Sequence, residues 1–293
     1  VFVIFLMLVF VERISSAHRL GIIDGGGVST LPTQHMPKRF TLPSPAVIMA
    51  TLVVVLLFLY SLSALRFHGT LEDILQGIQR IFVQMYPPGM DRLVPVSKAL
   101  LQTFSMAWIG NLIGLPLSLV LAVLAARNTS PHPLVYSMVR AVITFFRTTP
   151  PLIWAIFLLS VVGLGPRTGA ITLVIATIGF CGRFFAEAIE EVHREPGEAL
   201  LSLGASGTGI VCSAVLPAAL PSFINTALFN LEHTTRSSAV LGIVGAGGIG
   251  IELIVSIQTF HYDEAATIMG LVLLMVLAVE RFCTLVRRTL ITT

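Results

Sequence analysis

Three glycines in the C-terminal third of the chain have the spacing of a phosphate-binding loop. Gly245, Gly247 and Gly250 form G-x-G-x-x-G, a pattern that lets backbone N–H groups approach the pyrophosphate of a dinucleotide. That chemistry also requires a strand before the glycines and a helix after them. Here a long apolar segment precedes them, so the pattern does not predict a nucleotide site.

Other patterns for covalent or ATP-dependent chemistry are missing from the sequence. Residues 204–208, Gly-Ala-Ser-Gly-Thr, fail the nucleophile pattern G-x-S-x-G at its last position, and H-E-x-x-H does not occur. Lys38 and Lys98 are the only lysines, and neither follows glycine as a Walker A motif requires. We therefore expect no catalytic residue, no cofactor and no ATP hydrolysis by this chain.

The three cysteines offer no redox or metal chemistry. Cys181, Cys212 and Cys283 are isolated from one another, without C-x-x-C spacing, and each lies in or beside an apolar run. Cysteine in such a setting acts as a small core hydrophobe. The sequence predicts neither a disulfide nor a metal site.

Composition excludes an ordinary soluble domain. Of 293 residues, 55% are hydrophobic and 11% are charged, and the mean hydropathy is +0.90, whereas soluble domains carry about 25% charged residues. The net charge of +3 is spread along the chain without a basic stripe, so it favours membrane topology signals over nucleic-acid binding.

Six segments are long and apolar enough to cross a bilayer, which takes about 20 residues of helix. The sequence therefore predicts an all-α integral membrane protein with about six transmembrane helices. The predicted spans are 46–65, 99–126, 141–163, 169–186, 216–240 and 265–286. Placing Arg127, Arg140 and Arg194 in the cytoplasm agrees with the bias of basic residues toward cytoplasmic loops. Residues 67–97 then form an extracytoplasmic amphipathic helix and loop.

The polar segment 187–216, between two predicted spans, contains a regular motif. Glu198-Ala199-Leu200 is followed by Gly204 and then by Leu216-Pro217. A carboxylate in the first turn of a helix interacts favourably with the positive helix end. Gly204 allows a sharp turn into a second short helix. The plain alternative is an ordinary surface helix that begins with glutamate.

This motif resembles the EAA loop of the permease subunits of ABC importers, in which Glu-Ala-Ala precedes a spaced glycine and a Leu-Pro pair. Leu200 and Ala214 depart from that pattern, where the family has Ala and Ile. The resemblance covers roughly residues 70–290 and implies a type I ABC importer permease fold, with the permease core at 98–290. It also implies a set of ATPase-docking residues: Glu198, Ala199, Gly204, Leu216 and Pro217.

A charged pair precedes the glycines of residues 245–250, which we call the glycine run. Glu232 and Arg236 share a helix face at i, i+4 spacing, and membrane charges usually face the bundle interior or an aqueous path. The segment from Arg236 to Gly250 resembles the corresponding segment of permeases of the phosphonate type. That resemblance implies pathway or gate residues: Glu232, Arg236, Gly245, Gly247, Gly248 and Gly250. The alternative is a structural ion pair near the outer interface.

The resemblance further implies a permease of the bacterial inner membrane that takes up phosphonate or a related phosphorus oxyanion. Its implied partners are two ATP-binding subunits, an extracytoplasmic binding protein and a second permease half. Methionine or glycine betaine is an alternative substrate class. A membrane-embedded enzyme and an ion-coupled carrier are alternatives of other classes.

The N-terminal segment carries a partial repeat of the last span. Residues 5–13 resemble residues 273–281, with a shared methionine and a shared Val-Glu-Arg ending. We interpret residues 1–20 as the tail of an upstream permease module and residues 21–45, rich in glycine and proline, as a cytoplasmic linker. Residues 46–66 then form the first span of this module. Chance similarity between two leucine-rich runs is the alternative explanation of the repeat, and a homodimer of the chain is the alternative arrangement.

Overall fold

The computed structural model describes residues 45–64, 71–193 and 195–291, and every regular element in these ranges is a helix. A first compact unit ends at Ile74 and a second begins at Leu75. In the first unit, the apolar helix α1, Pro45–Ala64, occupies the segment predicted as the first span. The proposed upstream tail and nearly all of the proposed linker lie outside the described residues and stay predictions.

The helices that follow α1 account for most of the second unit. Their bounds are α2 Leu71–Gln84, α3 Leu93–Ala125, α4 Pro133–Thr148, α5 Pro151–Val162, α6 Pro166–Glu190, α7 Glu195–Ser202, α8 Gly207–Ile210, α9 Leu216–Ile243, α10 Ile249–Gln258 and α11 Tyr262–Ile291. The π-helical segment Val211–Val215 joins α8 to α9. The predicted amphipathic helix is present as α2, and its apolar residues Leu75, Ile78 and Phe82 are exposed.

Four helical segments of the described residues are long and apolar enough to cross a membrane. They are α3, α6, the continuous helix Gly207–Ile243, and α11 over Tyr262–Thr289. Helices α4 and α5 meet the same criterion only as a bent pair, and α1 contributes the shorter apolar stretch Met49–Ser63. Each of the six predicted spans is thus occupied by helix, and the predicted all-α membrane fold is confirmed.

The span predicted over 141–163 consists of two helices that meet at a bend. The chain bends by 93° between α4 and α5, where Thr149 has φ −84° and ψ 118° and precedes Pro150. A residue before proline is forced out of the helical region, so α4 must end there, and Pro151 then opens α5. Helix α4 also begins earlier than predicted, at Pro133, where the His132 side chain accepts a hydrogen bond from the Leu134 N–H at 3.1 Å.

Small residues set the packing of α3 on α6. A Cβ atom on Gly110 would lie 2.6 Å from Leu173 Cβ, and one on Gly114 would lie 2.6 Å from Thr177 Cβ. Such distances leave no room for any side chain larger than hydrogen. Close approach of this kind drives helix association in membranes, where hydrophobic burial contributes little.

A buried polar network joins α3, α6 and α9, and it was not predicted. Asn230 Nδ2 donates to Asn111 Oδ1 at 2.7 Å and to Thr177 Oγ1 at 3.0 Å. Asn111 Nδ2 donates to Thr234 Oγ1 at 2.6 Å. All four side chains are buried. Burying a polar group costs free energy unless it is hydrogen-bonded, so these bonds between helices stabilise the bundle.

Candidate functional site

The polar segment predicted to dock an ATPase begins after α6, and we call residues 191–216 the docking loop. Its turn is built on Gly204. Helix α7 ends in a Schellman motif, because the Gly204 N–H donates to the Leu201 carbonyl at 2.9 Å and the Ala205 N–H donates to the Leu200 carbonyl at 3.1 Å. Gly204 has φ +82°, a conformation that costs little only for glycine. The predicted sharp turn is confirmed, and its hydrogen bonds show why glycine is required there.

An uncovered apolar surface lies beside this turn. Leu201 is 62% exposed and Leu203 is 84% exposed, while Glu198 and Ala199 on the same helix are also exposed. Glu198 lies in the first turn of α7, as predicted. The loop begins later than predicted, since α6 continues to Glu190.

The second half of the docking loop is a short helix that continues into α9. Ser206 caps α8 by accepting a hydrogen bond from the Gly209 N–H at 3.3 Å. Leu216 and Pro217 lie inside the continuous helix and open α9. Pro217 lacks the N–H that would bond to the Ser213 carbonyl. The adjacent Leu216 N–H donates to the Val211 carbonyl, five residues earlier, and this longer bond defines the π-helical segment.

Helix α7, which we call the docking helix, faces the turn between α3 and α4 across a pocket. Asn128 of that turn lines a pocket of about 340 Å³ together with His193, Gly197, Glu198 and Leu201. Ala214, which stands where the family motif has isoleucine, lines the same pocket. The smaller side chain therefore lies at the contact between the two halves of the docking loop.

A charged cluster lies at the base of the docking loop, and the sequence analysis did not predict it. We call Arg127, Tyr136, Arg140 and Glu190 the Glu190 cluster. Glu190 Oε1 accepts hydrogen bonds from the Arg127 backbone N–H at 2.9 Å and from Arg140 Nη1 at 3.0 Å. Arg127 Nε donates to the Tyr136 hydroxyl at 3.1 Å, and this hydrogen bond raises the pKa of Arg127.

The glycine run folds as a tight turn over the start of α6. Gly245, Gly247 and Gly248 all have positive φ, between +79° and +93°. The Gly165 N–H donates to the Gly245 carbonyl at 3.1 Å, and a Cβ atom on Gly247 would lie 2.8 Å from Pro166 N. The glycines therefore allow backbone to pack on backbone.

Helix α3 caps the helix that follows the glycine turn. The Ile249 N–H donates to Thr103 Oγ1 at 2.7 Å, and the Gly248 N–H donates to Gln102 Oε1 at 3.3 Å. The first free N–H groups of α10 are thus satisfied by neutral side chains. Gly250 is buried where α10 crosses α9.

The predicted pair Glu232–Arg236 is not the ion pair that the structure forms. Glu232 Oε1 lies 3.7 Å from Arg287 Nη2 on α11, because α9 and α11 pack against each other at this level, where Cys283 Sγ contacts the Leu228 carbonyl at 3.6 Å. Arg236 is exposed and lines a cavity of about 280 Å³ between α9, α10 and α11. Within the described ranges, Arg236 has no carboxylate partner.

A second charged group connects three segments of the chain at the opposite end of the bundle. Arg92, which precedes α3, contacts Glu252 of α10 at 2.9 Å and Glu264 of α11 at 3.4 Å. This places α10 at the end of the bundle away from the docking loop. No group of His, Cys, Asp or Glu that could hold a metal ion occurs in the part of the chain that the structure describes.

A bundle of long apolar helices, with one exposed polar helix–turn–helix between two of them, defines a multi-pass helical membrane protein. Residues 114–288 match the model of the family described as the binding-protein-dependent transport system inner membrane component, and the chain belongs to this family. It is therefore a transport component of the inner membrane, as predicted from the sequence.

Two curated relatives are similar over most of this chain. The phosphite transport system permease protein of Stutzerimonas stutzeri is 38% identical over 219 residues, which cover 75% of this chain and 80% of the relative. The phosphate-import permease protein of Mycolicibacterium smegmatis is 39% identical over 212 residues, which cover 72% of this chain but 40% of the relative. The chain thus spans less than half the length of the second relative.

Solved structures share the fold. A chain of the methionine ABC transporter in an inward-facing conformation has a TM-score of 0.57 at 27% identity and covers 68% of this chain and 97% of its own length. A chain of a bacterial ABC transporter that imports the polysaccharide alginate has a TM-score of 0.57 at 16% identity, covering 84% of this chain and 98% of its own. The type I ABC importer permease fold predicted from the sequence is confirmed.

Proposed function

We propose that this chain is the membrane-spanning permease subunit of an ABC importer for phosphonate or a related phosphorus oxyanion such as phosphite or phosphate. The observation that carries the proposal is the docking loop, where the Gly204 turn leaves Leu201 and Leu203 uncovered beside the acidic first turn of α7. An exposed apolar patch with a polar rim is typical of a protein–protein contact.

The proposed partners follow from this role. Two ATP-binding subunits dock on the loops of two permease halves, and the residues assigned to that contact are Glu198, Ala199, Gly204, Leu216 and Pro217. An extracytoplasmic binding protein delivers the solute, in keeping with the description of the family. The second half is a further copy of this chain or a fused module.

The substrate class is supported by the relatives. Proteins named for phosphite and phosphate transport are 36–39% identical to this chain over 207–219 residues. A probable methionine permease of Vibrio cholerae is 27% identical over 175 residues. A phosphorus oxyanion is therefore favoured over methionine.

Arg236 is the residue that we assign to the oxyanion. Its charge is not neutralised by Glu232, which pairs with Arg287, and its side chain is exposed beside a cavity. Charged side chains within membrane spans mark the paths of substrates and ions, and an arginine without a carboxylate partner attracts a small anion. Glu232 acts in this scheme by forming the ion pair with Arg287. The glycines at 245, 247, 248 and 250 keep α10 packed beside the cavity that Arg236 lines.

Uptake by the reconstituted complex tests the proposal. An affinity-tagged chain is purified from its native membrane with its ATP-binding subunits and placed in proteoliposomes with the binding protein. We expect ATP-dependent accumulation of phosphite, phosphate or methylphosphonate that exceeds accumulation of methionine. Accumulation of methionine alone would overturn the substrate class, and the absence of any ATP-dependent uptake would overturn the transport role of this complex.

A further inference from the structure

The Glu190 cluster connects three elements at the base of the docking loop. Glu190 is the last residue of α6, and its carboxylate binds the backbone of the α3–α4 turn at Arg127 and the side chain of Arg140 on α4. The Arg140 and Glu190 side chains are 28% and 25% exposed. Partial burial makes such a pair stronger than a fully solvated one.

Tyr136 adds a second connection between α4 and the α3–α4 turn. Its hydroxyl accepts hydrogen bonds from Arg140 Nη1 at 2.6 Å and from Arg127 Nε at 3.1 Å. Both guanidinium groups also lie over its ring, 5.3 and 5.7 Å from the ring centroid. One phenol therefore holds two guanidinium groups together, and the carboxylate bonded to Arg140 offsets their repulsion, so that loss of the carboxylate leaves the arginines to repel each other.

The same turn faces the docking helix and is bonded to α6. Asn128 Nδ2 donates to the Ile189 carbonyl at 2.7 Å, which binds the turn to the last residues of α6. Asn128 also lines the pocket beneath Gly197 and Glu198 of α7. Helix α7 and the turn therefore face each other across one pocket, and a displacement of α7 into that pocket reaches the turn that the Glu190 cluster holds.

We infer that the Glu190 cluster positions the docking helix and transmits its movement to α3 and α4, so that ATP hydrolysis is coupled to transport through it. Glu190 is a positioning residue in this scheme, because it acts through the α3–α4 turn and does not touch solute or ATP. The inference rests on the proposed function. It goes beyond docking by naming the side chains that link the docked loop to the spans.

The experiment compares the coupling ratio, the number of solute molecules transported per ATP hydrolysed, in reconstituted complexes. Glu190→Gln removes the charge but keeps an acceptor, and Tyr136→Phe removes the shared hydroxyl but keeps the ring. The matched control is Glu187→Gln, which breaks an ion pair with Arg183 of similar exposure on the same helix but joins no second element.

We expect the coupling ratio of Glu190→Gln to fall about fivefold, which corresponds to about 1 kcal/mol between coupled and uncoupled turnover. Tyr136→Phe should reduce it less, and Glu187→Gln should leave it unchanged. ATP-binding subunits should copurify with all three variants.

An unchanged coupling ratio in Glu190→Gln, with or without a lower melting temperature, would overturn the inference and leave the cluster a purely structural one. A ratio lowered equally in Glu187→Gln would also overturn it. The proposed function fails separately, through a wild-type complex without ATP-dependent uptake.

Discussion

Gly242 of α9 and Gly250 of α10 meet backbone to backbone. A Cβ atom on Gly242 would lie 2.8 Å from Gly250 Cα, and one on Gly250 would lie 2.8 Å from Gly242 Cα. Real Cβ atoms do not approach other atoms this closely, so the crossing of the two helices exists only because both residues lack a side chain. Gly250 of the glycine run is thus required for the packing of α10 on α9.

Alanine at Gly250 should force α9 and α10 apart. We expect the free energy of unfolding in detergent to fall by about 1–3 kcal/mol, the usual cost of overpacking a core, as measured by denaturant titration. Gly270→Ala on α11 is the matched control, since a Cβ atom there meets nothing within 4 Å. Equal stability of the two variants would contradict the packing role.

Valine at Gly204 should disable the docking loop. A β-branched residue at φ +82° costs about 1–3 kcal/mol of backbone strain, so the Schellman turn opens and Leu201 and Leu203 change position. We expect transport and copurification of the ATP-binding subunit to be lost while the chain still inserts into the membrane. Gly207→Val is the control, because Gly207 has open space around it and no positive φ. Normal transport by Gly204→Val would remove the docking assignment.

Neutralising Arg236 should slow uptake of the oxyanion. We expect Arg236→Gln to lower the uptake rate about tenfold, which corresponds to about 1.4 kcal/mol of lost electrostatic stabilisation, and Arg236→Lys to restore part of it. The binding protein's own affinity for solute should not change, because Arg236 is on another chain. Arg281→Gln, a change at an exposed arginine of α11, serves as control. Wild-type uptake by Arg236→Gln would make this residue structural.

Removing Asn111 should destabilise the bundle through its buried network. Asn111→Ala leaves Asn230 without one acceptor and Thr234 without one donor, and hydrogen bonds between membrane helices contribute about 0.6–1.7 kcal/mol each. A double-mutant cycle with Asn230→Ala should therefore give a non-zero interaction energy in unfolding measurements. Ser105→Ala tests an exposed hydroxyl of the same helix and should have no effect. Additive effects of the two asparagine substitutions would show that the network does not couple the helices.

Much of the fold could be predicted because each membrane helix is a local feature of the sequence. Twenty apolar residues satisfy their own backbone hydrogen bonds within one helix, so the segments of α3, α6, α9 and α11 follow from composition alone. The bend between α4 and α5 also has a local cause in Pro150 and Pro151, which the apolar average over 141–163 concealed. The Gly204 turn could be predicted because glycine and its spacing are both visible in the sequence.

The interactions between helices depended on the tertiary structure. Periodicity shows that Glu232 and Arg236 share one face of α9, but the partner that Glu232 takes is Arg287, from a helix more than fifty residues later. Asn111, Asn230 and the Glu190 cluster escaped the sequence analysis for the same reason. Sequence spacing determines the face of a helix on which a side chain lies, whereas the helix packed against that face is decided by long-range packing, where glycine contacts such as Gly110 on Leu173 determine how closely two helices approach.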